Sequence, residues 1–149
     1  SWLSWHGVGC IIASPTVGTQ LAKVIDNIQI CATRVAEQAL RAMFESMRSW
    51  RQENRERIAA RATVFRTAMN DLPGWNLLSS GAYFGYVRHP FTGIGSRQLA
   101  ETMARKAGVL VIPGAFFGAG QDGALRFAFA NAGRDVIANL AGRLSSLTP

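Results

Sequence analysis

The sequence predicts a mixed fold: the end of an α/β domain, a long linking helix and a small C-terminal α+β domain. Three observations carry that expectation. The apolar run Gly9-Cys10-Ile11-Ile12-Ala13, bounded by Ser14-Pro15, has the composition of a strand buried on both faces of a mostly parallel sheet. From about Val35 to Met69 apolar residues return at helical spacing around a polar middle. After Pro73-Gly74 the pattern becomes β-β-α-β-β-α, an α+β module with helices over a small sheet. The corresponding boundaries are 1–34, 35–72 and 73–149.

Taken in order, Ser14-Pro15 starts the first helix, with serine as cap and proline in the first helical position. Val17, Leu21, Val24, Ile25 and Ile28 form its apolar stripe. In the long helix, Leu40, Met43, Phe44, Met47 and Trp50 make one stripe, and Ile58, Ala62, Phe65 and Met69 make another. The polar stretch from Arg48 to Arg57 lies between them, as in a helix that bridges two packing units. A Glu53–Arg57 pair at i,i+4 is expected to add a few tenths of a kcal/mol there.

Trp75–Leu78 and Ala82–Val87 read as two strands around Ser79-Ser80-Gly81. Ser96 is expected to cap a helix running to about Ala107, with Gly108 in the left-handed position after its end. Val109–Ile112 reads as a short strand broken by Pro113-Gly114, and Ala115–Gly123 as a glycine-rich loop holding Phe116 and Phe117. A last helix from Arg134 to Leu144 turns Val136, Ile137, Leu140 and Leu144 inward.

Composition bounds the function. Apolar residues make up 48% of 149, which is a globular rather than a disordered composition. The longest apolar runs are too short to span a bilayer, and the start has no secretory signal pattern, so a cytoplasmic protein is expected. Sixteen basic against nine acidic residues leave a net charge of +7, which suits nucleic acid, an anionic membrane surface or an anionic small molecule. The arginines from Arg48 to Arg66 could face nucleic acid, but Glu45, Glu53 and Glu56 among them would repel phosphates, and a solvated helix face is the expectation. Cys10 and Cys31 lack metal-ligand spacing and read as reduced core residues, with a disulfide between them the alternative. No metal site is expected. The chain lacks an initiator methionine and opens inside a Trp- and Gly-containing segment, so it reads as a piece of something longer.

The sharpest feature is Ala124-Leu125-Arg126-Phe127-Ala128-Phe129-Ala130-Asn131. Leu125, Phe127 and Phe129 alternate onto one face of a strand, leaving Arg126 on the other among alanines. A guanidinium among small apolar neighbours is costly unless an anion sits opposite, and the small neighbours leave room for a ligand. Its planar fork suits a carboxylate or a phosphate. The plainer alternative is an edge-strand arginine turned to water or paired with an internal acid.

In this order, Gly81-Ala82-Tyr83-Phe84, Gly108-Val109-Leu110-Val111-Ile112-Pro113-Gly114 with Phe117-Gly118, and Leu125-Arg126-Phe127-Ala128-Phe129-Ala130 resemble the C-terminal part of a class I/II aminotransferase of the pyridoxal-phosphate fold type I superfamily. The resemblance covers the whole chain. It implies a transferase that moves an amino group between an amino acid and a 2-oxo acid, with pyridoxal phosphate as cofactor and a homodimer as the working state. It further implies that Arg126 holds the substrate α-carboxylate, which would aim the α-amino group at the cofactor. Pro113-Gly114 and Phe116-Phe117 would line the edge of the site, and Tyr83 and Phe84 its wall.

The chain also departs from the family pattern. The Schiff-base lysine of the family would fall at or just before the residue preceding Ser1, so no catalytic residue is expected in this chain. Lys23 and Lys106, the only lysines, lie on a polar helix face and at a helix end. Gly7 stands where the family places a phosphate-binding arginine, although His6 beside it could touch a phosphate. Alone, the chain is expected to be inactive. The alternative is a non-catalytic remnant that works as a self-association or binding module.

Overall fold

The computed structural model describes residues 9, 11–29, 31–145 and 147, and the chain divides into two compact units between Gln52 and Glu53. In the first unit α1 spans Pro15–Ile28 and α2 spans Arg34–Met43. The start of α1 follows the sequence: Pro15 is its first residue and the Ser14 hydroxyl accepts from the Val17 amide at 3.5 Å. Two expectations fail here. Residues 11–13 form no strand, and Ile12 is 96% exposed; a strand buried on both faces needs neighbours to pair with, and the described residues of this unit supply none. Cys31, expected in the core, lies exposed and unbridged in a bend beyond the end of α1, while Cys10 and the Trp5-His6-Gly7 segment lie outside the described residues.

The long helix is interrupted. A turn at residues 44–47 separates α2 from α3, Arg48–Asn70. The Ser46 hydroxyl donates to the Met43 carbonyl, which also accepts from the Met47 amide, and the Arg48 amide bonds three rather than four residues back. The change from four-residue to three-residue bonding at Arg48 is the tightening common at helix ends. Arg48 pairs with Glu45 at 2.6 Å and Arg51 lies over the Phe44 ring at 4.3 Å, both across the turn. Among the described residues the expected Glu53–Arg57 pair does not form.

The second unit holds a four-stranded antiparallel sheet made of β1 (Asn76–Gly81), β2 (Phe84–Arg88), β3 (Ile112–Pro113) and β4 (Ala124–Phe127), in the order β1-β2-β4-β3. Phe65, Ala68 and Met69 of α3, with Leu72 beyond it, form one stripe at i, i+3, i+4, i+7 that packs in a core with Val87, Leu125, Phe127 and Phe129. Gly85 makes the contact possible, because a Cβ there would overlap the edge of the Phe65 ring. Phe65 stacks on Phe129 and tilts against Phe127, with ring centroids 5.3 and 5.6 Å apart.

The first hairpin turns at Ala82-Tyr83, later than Ser79-Ser80-Gly81, because strand pairing continues to Gly81–Phe84 through a bulge between Leu77 and Ser79. The next helix, α4 (Ser96–Thr102), continues as a wider turn over Met103–Ala107 and ends on Gly108 in the left-handed conformation, as expected. Of the Val109–Ile112 run only Ile112 pairs as strand, and the pairing extends onto Pro113, where the sequence predicts a break. The last helix is broken at Asn139 into α5 (Arg134–Ala138) and α6 (Leu140–Ser145). Ile137, Leu140 and Leu144 are buried, whereas Val136 is not. Among the described residues no helix is long and apolar enough to cross a membrane.

Candidate functional site

β4 keeps the expected alternation over Ala124–Phe127 but stops there: Phe129–Asn131 is a single helical turn, so Phe129 reaches the core from beyond the strand and not as part of its face. Leu125 and Phe127 are buried on one face, and Arg126 stands half-buried on the other, opposite Tyr86 of β2 and Ile112 of β3. Its guanidinium carbon lies 4.3 Å from the Phe84 ring centroid and 4.8 Å from that of Phe117. Two aromatic faces thus hold the cation, each by a contact on the order of 0.5–2 kcal/mol. Among the described residues none pairs with it as an acid or accepts a hydrogen bond from it. No internal ion pair forms among the described residues, and the residue as a whole is half-buried. Arg126 also borders a cavity of about 450 Å³ walled by Val109, Val111, Phe127, Phe129 and Ile137.

Two segments position the aromatic partners. Phe84 opens β2 directly after the Ala82-Tyr83 turn, and Tyr83 meets it edge-on at 6.3 Å. Tyr86, two residues on and facing the same way, meets Phe117 edge-on at 6.1 Å and donates its hydroxyl to Gln121 Oε1 at 2.8 Å. Phe117 ends a single helical turn, Gly114–Phe117, whose first residue has no space for a side chain: a Cβ on Gly114 would run into the carbonyl oxygens of Gln121 and Ala124. The expected edge residues therefore separate. Pro113 and Gly114 are buried support, Phe117 covers the arginine, and Phe116 turns outward over Arg97 at 5.1 Å.

The loop that carries Phe117 and Gln121 is tied to α4 by one carboxylate. Asp122 Oδ1 accepts from the Ser96 hydroxyl at 2.7 Å and from the Ser96 amide at 2.8 Å, and the same hydroxyl accepts from the Ala115 amide at 3.1 Å. The sequence points to Ser96 as the cap of α4. Gly95 occupies the cap instead, and Asp122 supplies the missing acceptor from across the fold. The Ser96 hydroxyl, then its amide, hold the Asp122 carboxyl below its ordinary value, with smaller help from His89 and Arg97 against the opposing effect of desolvation.

Sequence reasoning misses the roles of Tyr86, Gln121 and Asp122. Tyr86 is visible there only as aromatic bulk, because its place opposite Arg126 depends on strand register. The Asp122 tether joins residues 26 apart and leaves no local signal.

The sequence profile of "Aminotransferase class I and II" matches residues 3–144. The chain is 27% identical over 104 residues to aromatic-amino-acid aminotransferase 2 of Thermococcus litoralis, an alignment covering 68% of this chain and 27% of that protein. It thus spans about a quarter of the length of the curated relatives it matches. Its fold resembles LysN, the α-aminoadipate aminotransferase of Thermus thermophilus complexed with N-(5'-phosphopyridoxyl)-L-leucine, with a TM-score of 0.71, 21% identity, and coverage of 90% of this chain and 36% of the other. Cystalysin of Treponema denticola, which contains a pyridoxal 5'-phosphate cofactor, gives a TM-score of 0.66 at 21% identity, covering 91% and 35%. Pyridoxal phosphate is the family cofactor. The motif order around Arg126, the antiparallel sheet that carries it and the match over residues 3–144 lead to one conclusion: the chain belongs to the class I and II aminotransferase family.

Proposed function

We infer that this chain is the C-terminal part of a pyridoxal-phosphate-dependent aminotransferase that moves an amino group between an amino acid and a 2-oxo acid, with Arg126 anchoring the substrate carboxylate. In this reading residues 1–34 end the large cofactor-binding domain, 35–72 link the domains and 73–149 form the small domain of a cytoplasmic homodimer. The observation that supports it is the Arg126 guanidinium, held between Phe84 and Phe117 with no acidic partner among the described residues. Cation–π contacts fix the charge in place while leaving the planar fork for two parallel hydrogen bonds to a carboxylate. A carboxylate held at one end restricts the substrate to a few orientations, an effect worth several kcal/mol, on the order of 7–11 in the best cases.

The described residues do not by themselves fit the cofactor. Lys23 and Lys106 are both exposed and neither lines the cavity beside Arg126, and no carboxylate lines it either. The reading therefore gives the Schiff-base lysine and the partner of the pyridine nitrogen to residues outside this chain, and the chain alone no transamination.

The test is kinetic, in the polypeptide that joins this chain to the cofactor lysine. Arg126→Gln is expected to raise KM for amino acid and 2-oxo acid by about 10²-fold, the loss of charge-assisted hydrogen bonds of roughly 1.5–3 kcal/mol each, with the cofactor absorbance unchanged. Unchanged KM values would remove Arg126 from the substrate site. The second reading, a self-association module without catalysis, is favoured by the exposed apolar stripe of α1, where Val24 is 53% and Ile28 78% exposed.

A further inference from the structure

We propose that Arg57, Arg61 and Arg134 form a binding site for a diphosphate group, separate from the site around Arg126. These three arginines and Ala60 line a cavity of about 290 Å³ in the second unit, and none of them lines the cavity that Arg126 borders. The helix explains half of the arrangement. Arg57 and Arg61 are one turn apart on α3, so their side chains leave the same face, and Ala60 beside them takes up little room. Arg134, the first residue of α5, closes the site from the far end of the sequence. Arg61 is aimed by donating from Nη1 to the Ala130 carbonyl at 2.5 Å, a bond that uses one of its five N–H donors.

What sets this cluster apart from an ordinary basic helix face is the lack of counter-charge. No carboxylate lines the cavity, and among the described residues none forms an ion pair with any of the three arginines. Glu53 sits one turn before Arg57 at the spacing of a surface pair and does not make it. Asp135 follows Arg134 directly and stays out of the lining. Three guanidiniums gathered without an anion repel one another, and a bound anion reverses the sign of that interaction. Guanidinium forks match phosphate oxygens in pairs, and three of them match the charge of a diphosphate better than that of a single carboxylate.

The diphosphate could be inorganic or belong to a nucleotide, and calorimetry separates the two. The 149-residue chain is titrated with sodium pyrophosphate and, separately, with ADP, in chloride-poor buffer at fixed ionic strength. Pyrophosphate is expected to bind one site saturably, about tenfold more weakly in Arg57→Gln and in Arg134→Gln. Arg105→Gln, which removes the same charge from an exposed position outside the cavity, is expected to stay within twofold of the parent. ADP binding as tightly as pyrophosphate assigns the group to a nucleotide; ADP failing while pyrophosphate binds assigns it to the inorganic ion. Both support the site. No saturable binding of either at millimolar concentration overturns it. So does an Arg105→Gln loss equal to that of Arg134→Gln, since that would mean diffuse attraction to a basic surface. Arg57 and Arg134 are exposed, so the variants are expected to keep the parent circular dichroism spectrum, which serves as the folding control.

Discussion

At the scale of single residues, the packing of Phe65 against the sheet depends on Gly85. A methyl group at position 85 would occupy space already held by the Phe65 ring, which is itself locked between Phe127 and Phe129. Gly85→Ala is therefore expected to destabilise the second unit by about 1–3 kcal/mol, the range for inserting a methylene into a packed core. Urea unfolding followed by tryptophan fluorescence would show a lower midpoint, and an unchanged midpoint would mean the ring moves aside freely. The sequence makes Arg126 conspicuous because a charge among alanines on an alternating strand is a local anomaly. It cannot reveal the role of Gly85, whose neighbour Phe65 lies far back along the chain and is brought close only by tertiary packing.

At the scale of elements, the loop between β3 and β4 behaves as an extension of α4 because Asp122 joins them. Folding lowers the Asp122 pKa from its ordinary value of 3.8, so the stability it contributes is fully present above that value and is lost as pH falls through the lower folded one. The parent protein should lose part of its acid stability below about pH 4, and Asp122→Asn should show a shallower decline over the same range. Thermal midpoints for both proteins, measured stepwise from about pH 5 down to about pH 2, check this; parallel curves would count against the tether. Helix starts marked by Ser14-Pro15 and the helix end at Gly108 are legible in the sequence, since caps are written in adjacent residues. The break at residues 44–47 and the late hairpin turn are not. One shows as the Arg48 amide bonding back to Glu45, the other as register carried past Ser80 by a bulge.

At the scale of the molecule, the two units differ in how much they enclose. The core residues from Phe65 to Leu147 all lie in the second, whereas neither α1 nor α2 buries a residue. The stripe Val17, Val24, Ile25 and Ile28 is legible as amphipathic, but periodicity shows only which face is apolar and not what covers it. If the chain acts as a self-association module, sedimentation velocity of the isolated 149 residues should show concentration-dependent growth that Ile25→Lys and Ile28→Lys together reduce. A monomer at all concentrations would leave the enzyme-fragment reading as the better account.

The short edge of the sheet has a consequence for how this molecule meets its neighbours. β3 contributes two residues, and one of them, Pro113, has no amide hydrogen to offer. An incoming extended peptide would find almost no ladder to zip onto along that rim. A short rim that carries a proline is one way a sheet limits strand recruitment at its edge.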